Sequence, residues 1–245
     1  MLGKIILSTL IAGLLAGFVM AGIQHVRLTP LILAAEVFES PETEAIAEAT
    51  KACVETMPGM KMCSDDGHEH NHDAWQPVDG WQRTLSTTVV SLLTGAGFAV
   101  LLTGISLLTN MPITKQNGLI WGLCGFLAVA VAPAAGLSPE LPGMPAGDLH
   151  SRQLWWLATI AATSVAIYLL AIRPEIWTKI LGLALIVAPH IIGAPEAAET
   201  TSAVPATLAA EFASNSLAAA ALFWCVLGYL LGHMLDRHQK DIAAL

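Results

Sequence analysis

Charge is scarce in this chain. Only 12% of its 245 residues are Asp, Glu, Lys or Arg, about half the share of an ordinary soluble domain. Long stretches carry no charge at all, which excludes a plain soluble globule and indicates a membrane protein. No Gly-rich loop ending in Gly-Lys-Ser/Thr is present, so the chain does not hydrolyse ATP by that mechanism. Gly-x-Ser-x-Gly is missing as well, so that serine-nucleophile motif is excluded. Four cysteines make no disulfide scaffold in a chain of this size. Two of them, Cys124 and Cys225, sit in apolar segments and read as ordinary core residues. No long internal repeat occurs.

What is present is apolar. Hydrophobic residues make up 55% of the chain, and mean hydropathy is +0.64. They gather into six segments, roughly 5–24, 86–108, 118–136, 154–172, 176–193 and 214–235. A span needs about 20 apolar residues. The expected fold is all-α, a polytopic transmembrane helix bundle of about six spans. The segment 176–193 is the weakest, with Lys179 near its start and Pro189-His190 near its end; without it the count is five. The run from Ile5 to Ile23 exceeds the 7–15 residues of a signal-peptide core, so it reads as a retained first span. Gly13-x-x-x-Gly17 and Gly118-x-x-x-Gly122 let helices approach closely, either within the chain or between copies in a homo-oligomer.

Charge orients the bundle. With six spans and the N-terminus inside, Lys4, Lys115, Arg173, Lys179, Arg237 and Lys240 fall on the inner side. The short outer loops hold only Arg152. This is the positive-inside pattern, so both termini are expected in the cytoplasm. Sixteen of the nineteen acids then lie in three outer loops. An acidic mouth concentrates cations and repels nucleic acid. Three regions follow: a first helix and extension at 1–34, an extracytoplasmic loop at 35–85, and a bundle with short loops and a cytoplasmic tail at 86–245.

The loop carries the chemistry. Within about twenty residues it holds Cys53, Met57, Met60, Met62, Cys63, His68, His70, His72 and several carboxylates. Those side chains bind transition metals. His68, His70 and His72 share a face in extended chain, and in a helical turn His68 and His72 align. Asp73 and its neighbours add oxygens and negative charge. Such a site is flexible and suits capture and hand-off; the alternative is a solvated loop that meets metal only incidentally. Cys53 and Cys63 read first as a disulfide in an oxidising compartment. If reduced, with the methionines between them, they favour Cu(I).

Elsewhere, His190 follows Pro189, which removes a backbone donor and can break a helix. An ionisable residue at membrane depth is a functional candidate, though an interfacial position is equally open. His25 ends the first span, either as an interfacial anchor or as part of a polar mouth with Glu36 and Glu39. Glu140 and Asp148 belong to a proline-rich outer loop and are candidates to line the entrance. His233 and His238 read as part of a solvated tail more than as an exit site.

Several separated motifs resemble one family. They are Thr29-Pro30-Leu-Ile-Leu-Ala-Ala-Glu36-Val-Phe-Glu39, the His-rich loop followed by Trp75-x-Pro77-x-Asp79-Gly80-x-x-Arg83-Thr84, and Gly136-Leu-x-Pro139-Glu140-Leu-Pro142-Gly143. Arg152-Gln153-x-Trp155-Trp156 and Pro189-His190-x-x-Gly193-Ala-Pro195 complete the set. Together they resemble the CbtA-type probable cobalt transporter subunit. The resemblance implies an integral membrane subunit for cobalt uptake, linked to cobalamin synthesis, in the bacterial cytoplasmic membrane. It also implies a small single-span partner with its own His-rich terminus. Such families are often described with five spans.

The combined expectation is uptake of divalent cobalt, or nickel, with no permanently bound cofactor. The metal-handling candidates are His68, His70, His72, Asp73, His190, Glu36, Glu39, Glu140 and His25. Two rival readings are a metal-binding accessory or sensor that permeates nothing, and a membrane enzyme or copper-redox protein using Cys53, Cys63 and the methionines.

Overall fold

The computed structural model describes residues 2–39, 80–198 and 201–243; the side chains of 39 and 238–243 are outside the description. Among the described residues every regular element is helical, and six helices follow one another. They are α1 (Leu2–Glu36), α2 (Trp81–Leu108), α3 (Gly118–Ala134), α4 (Leu149–Ile172), α5 (Ile176–Ile192) and α6 (Ala206–Ala243). Four of them, α1, α2, α4 and most of α6, are long and apolar enough to cross a membrane. Helices α3 and α5 are apolar but shorter.

Segment boundaries moved where polar residues are helical. Helix α2 starts at Trp81, a turn before the apolar run read from residue 86, because Gln82, Arg83 and Thr84 are already in register. Helix α6 starts at Ala206, not near 214. Glu211, expected in an outer loop, therefore lies on a helix. Ala206-Thr-Leu-Ala-Ala is good helix-forming sequence, and hydropathy alone missed it. At its C-terminal end α1 runs to Glu36 and a 3-10 turn follows to Glu39.

Two helices contain π-helical turns, Gln24–Leu28 in α1 and Leu127–Val131 in α3. Each ends two residues before a proline, Pro30 and Pro133. A proline ring clashes with the carbonyl four residues back. One extra residue per turn relieves the clash and keeps the rod continuous.

Glycines set the packing. Neighbouring helices run antiparallel, and α1 crosses α2 where Gly13 and Gly17 face Gly95 and Ser91. A Cβ on Gly13 would stand 2.5 Å from the Gly95 carbonyl oxygen. Helix α3 meets α6 the same way, Gly118 and Gly122 against Gly228 and Gly232. So both Gly-x-x-x-Gly pairs are spent on contacts inside the chain. Close backbone approach replaces the hydrophobic drive that lipid cannot supply. Between these seams lies a core of Leu102, Phe223, Trp224, Leu227 and Leu231, with Phe98 tilted on Trp224 at 4.8 Å. Thr9 and Thr103 share a buried hydrogen bond of 3.1 Å across α1 and α2.

Helices α4 and α5 pair as a hairpin, with Gly182 against Ala166 and Leu170. At the end where α1 finishes, Ala35, Leu141 and Val204 form a second small core, with Met144 and Phe212 packed on it. This core ties the connections 135–148 and 193–205 to the ends of α1 and α6.

Candidate functional site

Helix α1 delivers His25 and Glu36 to the end of the bundle from which residues 40–79 depart. His25 lies within the π-turn. Beside it is a cleft of about 240 Å³ between α1 and α2, lined by His25, Thr29, Arg83, Thr84, Thr87 and Thr88 among others. Glu36 is held by Arg83: Nη1 reaches Oε2 at 3.2 Å, and Nη2 pairs with Oε1. Both side chains are about a quarter to a third exposed, at 26% and 31%. Arg83 therefore closes the cleft wall with its charge matched by a carboxylate.

Glu140 is treated the same way. Arg152, in the first turn of α4, pairs with it at 2.5 Å. Asp148, a candidate to line the entrance, caps α4. Its carboxylate accepts from the Ser151 N–H at 2.8 Å and from the Ser151 hydroxyl at 2.7 Å. Those hydrogen bonds hold its pKa below the usual carboxylate value. Neither arginine partner was readable beforehand, because Arg83 lies 47 residues from Glu36 and Arg152 twelve from Glu140, with no local pattern linking them.

His190 sits on α5 and is exposed. The helix is not broken at Pro189 but continues to Ile192 and ends at Gly193, whose φ of 89° suits glycine alone. The Pro189 carbonyl accepts from the buried Trp155 indole N–H at 3.2 Å. His190 packs edge-on against the same indole, with ring centroids 5.9 Å apart. Trp155 thus braces the proline turn that presents His190. His233 is used locally, its Nδ1 3.1 Å from the Tyr229 carbonyl and its ring over Tyr229.

The structure brings together His25, Glu36 and Arg83 at the α1–α2 end. Glu140 and His190 stand on other elements at the same end. Among the described residues no three His, Cys, Asp or Glu side chains come close enough to hold a metal ion. His68, His70, His72, Asp73, Cys53 and Cys63 lie outside the described residues, as does the side chain of Glu39. His68-Glu69-His70-Asn71-His72 also satisfies the His-Glu-x-x-His spacing of zinc hydrolases. That spacing carries weight only on a helix, where both imidazoles share one face.

The geometry is that of a multi-pass helical membrane protein with a polar cleft and arginine-clamped carboxylates at one end. No curated protein and no solved structure matches the chain. A family model described as probable cobalt transporter subunit (CbtA) matches residues 2–236, nearly the whole chain, and the chain belongs to that family.

Proposed function

We propose that this chain is the membrane-embedded subunit through which divalent cobalt, or nickel, enters a bacterial cell across the cytoplasmic membrane. It works with a small single-span, histidine-bearing partner subunit and supplies cobalt for cobalamin synthesis. The carrying observation is the near full-length family match, set on a chain with four helices fit to cross a membrane.

On this reading all six helices cross. Helices α3 and α5, at 17 residues, are about 26 Å long, close to the roughly 30 Å hydrocarbon core. Lys4, Lys115, Arg173, Lys179 and Arg237 then share the cytoplasmic end. His68, His70, His72 and Asp73 capture the ion outside. Glu36, Glu39 and Glu140 make the mouth attractive to cations, His25 stands beside it, and His190 binds the ion in passage. Borderline nitrogen and oxygen ligands suit a borderline ion that must be released again.

One observation favours a second reading. Glu36 and Glu140 are each occupied by an arginine, which suits a metal-binding accessory or sensor that passes nothing itself. Radiolabelled cobalt uptake into cells expressing the chain, with and without its small partner, separates the two. Saturable entry that needs the partner and resists zinc is the expected result. No entry in either case, with metal still bound to the purified protein, overturns the transport reading in favour of the accessory.

A further inference from the structure

The α1–α2 cleft has an unusual donor inventory. Three of its threonines spend their hydroxyl protons on backbone carbonyls. Thr29 donates to Gln24 O at 3.1 Å, Thr84 to Gly80 O at 3.1 Å, and Thr88 to Thr84 O at 2.7 Å. A hydroxyl whose proton is committed offers only oxygen lone pairs to its surroundings. His25 adds an imidazole, which when neutral carries one nitrogen lone pair. The cation in the wall, Arg83, is turned onto Glu36 and matched by it. The cleft thus presents acceptors and no unmatched positive charge. An anion finds few donors there, whereas a cation or its bound water finds several acceptors.

The backbone explains why these groups meet. The π-turn adds a residue ahead of Pro30 and advances the helix face by about one position. His25 and Thr29, one turn apart on α1, both line the cleft opposite Thr84 and Thr88 of α2. The volume of about 240 Å³ accommodates an ion with several waters, each of which takes about 30 Å³ in the liquid.

From this we infer that the α1–α2 cleft is a transit site for a partly hydrated divalent transition-metal cation, held by the His25 imidazole and the oxygens of Thr29, Thr84 and Thr88. With one imidazole and otherwise neutral oxygens the site is weak. Weak binding is what conduction needs, since an ion must leave as well as enter. The cleft also sits where the chain returns from the His-rich segment: Gly80 lines it, and His72 precedes Gly80 by eight residues in sequence. The identity of the ion as cobalt rests on the transport reading; the site itself rests on the cleft.

The test uses the full chain in lipid nanodiscs with His68, His70 and His72 replaced by alanine, so that loop binding is removed. Equilibrium binding of radiolabelled Co²⁺ is measured on this background and on two additions, His25→Gln and the shape-keeping pair Thr84→Val/Thr88→Val. The expected result is about one weakly held Co²⁺ per chain on the background, with affinity reduced at least about fivefold by His25→Gln, which removes one ligand, and at least as much by the valine pair, which removes two. Unchanged binding in both additions, or no binding on the background, overturns the site. Should His25→Gln fail to fold, the valine pair alone decides. Cobalt binding that persists while cells show no uptake overturns transport and leaves the cleft site standing. Lost cleft binding with normal uptake removes the cleft from the path.

Discussion

Glu36 and Arg83, 47 positions apart in sequence, meet across the ends of α1 and α2. The pair closes the segment that carries the loop histidines, and it sets the charge beside the cleft. A partly exposed ion pair is worth only about 0–1 kcal/mol to stability, so its main effect is electrostatic. Glu36→Gln removes the carboxylate charge beside Arg83 and raises the cobalt concentration for half-maximal uptake by about twofold to fivefold, as a pair worth up to about 1 kcal/mol allows. The charge reversal Glu36→Arg with Arg83→Glu recovers part of the loss. A concentration series of uptake rates checks this; equal half-saturation in Glu36→Gln and the parent chain refutes it.

On the transport reading, loop capture and passage are expected to separate kinetically. Replacing His68, His70 and His72 with alanine raises the half-saturating cobalt concentration and leaves the maximal rate near its original value. His190→Ala lowers the maximal rate. Initial-rate uptake across cobalt concentrations distinguishes the two patterns, and a normal maximal rate in His190→Ala takes that residue out of the path.

Trp155→Phe keeps most of the ring and removes the indole N–H from the Pro189 carbonyl. A buried hydrogen bond lost this way costs about 0.5–1.5 kcal/mol. The thermal midpoint in detergent drops accordingly. Because the same ring braces His190, cobalt uptake slows as well. An unchanged midpoint shows that the bond contributes nothing.

Glycine substitutions report the seams directly. Gly118→Val drives a side chain to within 2.5 Å of the Gly228 carbonyl at its first atom, an overpacking that costs about 1–3 kcal/mol or more. Gly97→Ala meets nothing within 4 Å and leaves stability equal or slightly higher, since alanine is the better helix former. Comparative melting of the two variants is the measurement, and equal midpoints contradict the seam.

Asp148 links stability to pH. Its carboxyl is held below the ordinary value by the Ser151 hydroxyl and N–H. A depressed folded pKa contributes stability above the unfolded value of about 3.9 and loses it as pH falls through the lower folded value. Asp148→Ala therefore lowers the thermal midpoint near neutral pH, and the difference from the parent shrinks in strong acid. A gap that persists undiminished in strong acid rules out the cap as its cause.

The six helices were legible because uncharged runs of span length leave few alternatives. Their ends were less so. Gln82 and Arg83 open α2, and Glu211 sits in the first turns of α6; hydropathy discounts such residues although their backbone is helical. The π-turns were not foreseen, though Pro30 and Pro133 were their signal. Gly13, Gly17, Gly118 and Gly122 announced close contacts but not with whom. Nothing local identifies Gly95 or Gly228 as their partners. At the candidate site, His25 and Glu36 were nameable from composition, while Arg83, Thr84 and Thr88 became visible only once α1 and α2 lay side by side.

The glycine seam between α3 and α6 has a consequence for biogenesis. Helix α3 leaves the ribosome long before Gly228 and Gly232 exist to receive Gly118 and Gly122, and α1 likewise waits for part of its packing on α6. Helix α3 must therefore rest in lipid with its glycine groove open until α6 arrives, whereas the glycine groove of α1 is already filled by α2. Cotranslational insertion alone leaves the bundle unfinished, and its closure is a late, intramembrane docking step. In that interval the open groove is exposed to quality-control proteases and to helices of other chains.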